Sequence, residues 1–121
     1  MQLERERIKL FLYQKKLDNN LTVFKDSIIV PSEVHEIVQI CPNITNGAAF
    51  LSVYNEKTNE QILNSMRIAN DKVGYNFKAV DVVNFPDYNN LNYILKIIDT
   101  DIEQDCWLKI LIAYKLKKED K

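Results

Sequence analysis

One histidine and two cysteines, His35, Cys41 and Cys106, are the residues best suited to metal binding or nucleophilic chemistry. Zinc takes four ligands, and its structural sites are usually built on closely spaced cysteines. Here the thiols stand far apart, and a fourth ligand would have to be a carboxylate from elsewhere. His35 is therefore expected at a surface or in a helix cap. Cys41 follows an apolar segment and Cys106 precedes Trp107, with no nucleophile signature around either. Both are expected to be buried, reduced thiols.

The carboxylates of "DTDIEQD" (99–105) imitate the first half of a calcium loop. Gln104 holds the glycine position and Ile110 the position of the bidentate glutamate, so helix-start charges explain the run better. "NIT" (43–45) matches a glycosylation acceptor and is expected in a loop before an Asn-Gly turn. Gly47 and Gly74 are the only glycines, which excludes glycine-rich phosphate and dinucleotide loops. No catalytic residue, metal or cofactor is assigned, and the chain is expected not to be an enzyme.

The elements follow from periodicity. Residues 3–17 predict an N-terminal helix, with Ile8, Phe11 and Leu12 on one ridge and Leu10, Tyr13 and Leu17 beside it. "LTVF" (21–24) and "SIIVP" (27–31) predict short strands. Ser32 can cap a short helix carrying Val34, Ile37 and Val38, which Pro42 stops. "AAFLSVY" (48–54) has the composition of a buried strand. The capping box "TNEQ" (58–61) predicts a helix with Ile62, Leu63, Met66, Ala69 and Val73 on one stripe and Gly74 at its end. "FKAVDVVNF" (77–85) predicts a further strand, so residues 48–85 have the spacing of a βαβ unit.

The last third carries two periodicities. Leu91, Ile94, Leu95 and Ile98 repeat at helical spacing, while Leu91, Tyr93, Leu95 and Ile97 alternate. Even positions from 106 to 116 are all apolar, as in a strand. Acidic residues before Cys106 and lysines after Ala113 match a helix macrodipole and select helices.

The expected fold is a single α/β domain over residues 1–121, with a central βαβ unit, an N-terminal helix and a C-terminal helical hairpin. The alternative is α+β with antiparallel C-terminal strands. A hydrophobic content of 46% with 27% charged residues excludes disorder, and a net charge of −1 supplies no field for nucleic acid or anionic membranes. Direct nucleic-acid binding is not expected, because Glu4, Glu6, Glu119 and Asp120 dilute the basic residues at both ends. The apolar run from Cys106 to Leu116 is too short to span a bilayer and Lys109 interrupts it. With no secretory signal in "MQLERERIKLFLYQKK", a cytoplasmic location is expected.

What remains is surface. "NFPDYNNLNY" (84–93) groups Phe85, Tyr88 and Tyr93 around a proline. The final helix would be apolar nearly all round, with Trp107 and Leu111 opposite Cys106 and Ala113. Aromatic side chains are enriched at interface hot spots. Phe85, Tyr88, Tyr93, Trp107 and Leu111 are therefore the expected partner-binding residues, on a small adaptor, inhibitor or subunit that binds another protein or itself. A small enzyme with a carboxylate or thiol pocket is the contrary expectation.

"IIVPSEV", the unit of 48–85 and the ending "IIDTDIEQDCWLKI" together look like the psi subunit of the bacterial clamp loader. That resemblance implies a small α/β accessory protein bridging subunits of a DNA-replication assembly, without catalysis of its own.

Overall fold

In the computed structural model, residues 8–18, 22–31, 33–71, 74–76, 80–81, 90–99 and 105–116 are described, and every regular element among them is a β-strand. In chain order these are β1 (Ile8–Leu17), β2 (Val23–Ile28), β3 (Val34–Ile44), β4 (Gly47–Asn55), β5 (Gln61–Asp71), β6 (Gly74–Asn76), β7 (Val80–Asp81), β8 (Leu91–Asp99) and β9 (Cys106–Leu116).

All pairings are antiparallel. One sheet has the order β1-β9-β3-β7 and the other β2-β8-β4-β5-β6. The chain behaves as one long hairpin folded at the β4–β5 turn, with β3·β7, β2·β8 and β1·β9 paired in succession behind it. That hairpin is wound so that β9 also meets β3 and β8 also meets β4. This is the winding of a jelly roll, with β6 as an addition at one edge.

Between the sheets lies one apolar core. Ile37, Ile40, Leu108, Ile110 and Ile112 face it from the first sheet, and Leu51, Val53, Ile68, Tyr93 and Leu95 from the second. The inward residues of β9 come from alternate positions, Cys106, Leu108, Ile110, Ile112 and Tyr114, and all are buried.

The β4–β5 turn explains the "TNEQ" motif without a helix. Asn55, almost fully buried, accepts the Lys57 and Thr58 amides through its Oδ1 at 2.9 and 3.3 Å. Thr58 Oγ1 accepts the Glu60 amide at 3.2 Å, and Asn59 takes a left-handed φ of 60°. Asn tolerates that conformation better than most residues.

The expected α/β domain, and its α+β alternative, are therefore corrected to an all-β sandwich. Strand β4 lies where "AAFLSVY" predicted one. The predicted crossover helix of the βαβ unit is β5, which pairs with β4 directly. Between the pairs Leu51↔Met66 and Val53↔Leu63, β5 has one residue more than β4. This bulge lets Leu63 and Met66, three apart, face the same side, and so counterfeits a helical stripe. The short helix expected after Ser32 is β3, where register shifts fall between Val34 and Glu36 and between Ile37 and Gln39. Val34, Ile37 and Ile40 are consequently all inward at a spacing of three.

The N-terminal helix is replaced from Ile8 onward by β1, which is apolar on both faces and so lacks a strand's clean alternation. The C-terminal helical hairpin is replaced by β8 and β9, which lie in different sheets. The charges that imitated a macrodipole join neighbouring strands: Asp105 pairs with Lys16 at 3.5 Å and Lys115 with Glu36 at 3.7 Å. "TDIE" (100–103) and most of "FKAVDVVNF" lie outside the described residues; within the latter, Val80–Asp81 is a strand. Among the described residues the α/β fold implied by the resemblance to the psi subunit is absent, so the likeness does not extend to their structure.

Candidate functional site

The β1–β9 register is unbroken over ten residue pairs, from Ile8↔Lys115 to Leu17↔Cys106. Alternation then gives β1 two faces. Phe11, Tyr13 and Leu17 pack on the core, while Ile8, Leu10 and Leu12 point away from it. These three are 49%, 64% and 46% exposed, and Leu111 on β9, paired with Leu12, is 37% exposed. Cys41 on β3, also paired with Leu111, extends the row across the sheet. Leu10 is followed in the same way by Ala113 and Gln39. Single exposed leucines are ordinary; here several aliphatic residues gather on one sheet face.

The patch reaches the sheet edge. Among the described residues, no strand pairs with the side of β1 away from β9. Natural edge strands are usually protected by bulges, proline or lysine. Strand β1 has no bulge against β9 and no proline, and its three lysines are each engaged by a carboxylate of the same chain. Lys9 meets Glu33 at 3.9 Å, Lys15 meets Asp26 at 2.8 Å and Lys16 meets Asp105. The Lys15 contact, with the Ser27 amide as a second donor, holds the Asp26 carboxyl below its usual range and raises the Lys15 ammonium.

Of the residues expected to bind a partner, Trp107 and Leu111 lie on the outer side of β9, and their strand partners on β1 are Lys16 and Leu12. Tyr93 is fully buried between the sheets, so it does not share that surface. Phe85 and Tyr88 lie outside the described residues. Sequence reasoning missed Ile8, Leu10 and Leu12 as surface residues. The signal was present, because they alternate with a second apolar set, Phe11, Tyr13 and Leu17, along one strand.

The sulfur and nitrogen groups are arranged differently. Cys41 and Cys106 are both free thiols. Cys106 is inward and donates to the Asn46 carbonyl at 3.1 Å, at the corner where Gly47, with a φ of 90°, turns the chain toward the second sheet. Burial raises both thiol pKa values, which lowers the thiolate fraction near neutral pH. No group of three or more His, Cys, Asp and Glu residues among those described is placed to hold a metal. Asn43 and Ile44 of "NIT" lie in β3 rather than in a loop, and Asn43 Oδ1 is buried without a hydrogen-bond partner. No helix among the described residues is long and apolar enough to cross a membrane.

No protein-family model, curated protein or solved structure matches this chain.

Proposed function

We propose that this protein works without catalysis, by binding another polypeptide chain through the outer face of its first sheet at β1 and β9. The observation that carries this reading is the aliphatic cluster of Ile8, Leu10, Leu12 and Leu111 beside an unpaired strand edge. Burying a leucine or isoleucine side chain fully is worth about 1.5–3 kcal/mol, so four of them left partly in water forgo substantial stability. A partner chain recovers it. Trp107 stands at one end of the same strand face and adds aromatic area to the rim. The expected cytoplasmic location belongs to the same proposal, and the free thiols Cys41 and Cys106 support it, because a reducing compartment keeps thiols unpaired.

The test is site-specific photo-cross-linking in cells of the native source. A photoreactive residue at Leu12 should give an adduct with a polypeptide. The same residue at Phe50, exposed on the outer face of the second sheet, should give none. Absence of an adduct at Leu12, or equal yields at the two positions, would remove this reading.

A further inference from the structure

We infer that the chain covering this face is a second copy of the same protein, joined edge to edge through β1 about a two-fold axis at Leu10. The inference rests on the reading of this face as a binding surface. Isologous contacts demand a self-complementary patch, and β1 carries one. In antiparallel pairing about Leu10, Ile8 meets Leu12 of the second copy, Leu10 meets its own counterpart, and Leu12 meets Ile8. Every outward aliphatic side chain of β1 then faces another one.

Neighbouring registers do worse. An axis at Phe11 sets Ile8 against Gln14. An axis at Leu12 sets Leu10 against Gln14, Ile8 against Lys16 and Lys9 against Lys15. About Leu10, by contrast, Lys9 faces Phe11, and Lys15 and Lys16 fall outside the apolar stretch.

Electrostatics points the same way. Lysines on an edge strand normally repel a second copy. Here Glu33, Asp26 and Asp105 of the same chain neutralise Lys9, Lys15 and Lys16, so two edges approach with little like-charge repulsion. The unbroken β1–β9 register keeps residues 8–12, the part of β1 that pairs about this axis, regular enough to accept a neighbour. The product is one eight-stranded sheet, β7-β3-β9-β1 continued by the same strands in reverse order. The aliphatic patches of both copies merge across the axis.

Sedimentation equilibrium of the purified full chain at about 100 µM should show a dimer. Leu10→Lys, at a side chain that is already mostly exposed, places two like charges on the axis and should weaken the dimer about tenfold or more. Phe50→Lys should leave the dimer unchanged. Leu10→Cys in a Cys41→Ser background should form a covalent dimer on mild oxidation, because opposed strand residues approach disulfide range. This variant also keeps the test decisive if Leu10→Lys fails to fold. A monomeric wild type overturns the inference; an adduct of Leu12 with a different polypeptide would then leave the binding role itself standing. A dimer that resists Leu10→Lys, or a Leu10→Cys protein that does not cross-link, also overturns it.

Discussion

The phenolic oxygens of Tyr13 on β1 and Tyr93 on β8 stand 2.8 Å apart and tie the edge strand of one sheet to an interior strand of the other. Their rings meet edge to face, with centroids 5.6 Å apart at an interplanar angle of 68°. Either hydroxyl can donate. Tyr93 is fully enclosed, and burial first, then the bond to Tyr13, pushes its phenol well above the ordinary value near 10.

That shift makes stability sensitive to alkali. Below about pH 10 the phenol is neutral in both folded and unfolded chains, and its contribution is fully present. As pH rises further, the unfolded chain loses the proton that the folded chain retains, so stability falls by about 1.4 kcal/mol per pH unit. Tyr93→Phe should remove this share of the alkaline slope and cost about 0.5–1.5 kcal/mol at neutral pH. Denaturant titrations from pH 8 to 11 measure both; an unchanged slope would show that Tyr93 ionises freely.

Deletion tests the bulge in β5. Ser65 has a left-handed φ of 48° and its amide donates to Ser52 Oγ at 3.0 Å. Removing Ser65 restores strict alternation from Leu63 to Ile68, leaving Leu63, Met66 and Ile68 on the inner side, and the protein should stay folded. Removing Arg67 instead turns Ile68 outward and should cost at least about 2–5 kcal/mol, the scale of losing a buried isoleucine. Circular dichroism and thermal melting separate the two.

Leu63→Ala and Met66→Ala should differ. Leu63 is buried and belongs to the core cluster, so its truncation should cost about 2–5 kcal/mol. Met66 is only partly buried against that cluster, and its loss should be smaller. Equal losses by urea titration would place both side chains at the same depth.

Asn43→Val should stabilise the protein by about 1 kcal/mol. The change removes a buried oxygen that has no partner and puts a β-branched residue in a strand. A lower melting point would mean that the Asn43 amide makes a contact that valine cannot replace.

Legibility in the sequence followed the regularity of each strand. Residues 48–54 showed their strand because β4 is interior and apolar. The even-numbered run from Cys106 to Leu116 also displayed the true alternation of β9. It was outweighed by terminal charges whose partners, Lys16 and Glu36, sit on other strands and have no local trace. In β3 and β5, bulges replaced period two with spacings of three, which are indistinguishable from a helix in one dimension. In β1 the obstacle was a second apolar face, since exposed Ile8, Leu10 and Leu12 alternate with Phe11, Tyr13 and Leu17 packed on the core. Trp107 and Leu111 were grouped on one side of an almost wholly apolar helix; they share the outer side of β9 because its odd positions face away from the core.

The nested hairpin also dictates an order of events during synthesis. Strand β4 can close on β5 as soon as both have emerged, but Ile8 must wait for Lys115, which lies almost the whole length of the chain away. At ordinary translation speeds, β1 therefore spends on the order of ten seconds with two apolar faces and no partner on either edge. Its vulnerable period is the interval before β9 arrives, when the nascent chain offers the same sticky strand to every neighbour on the polysome.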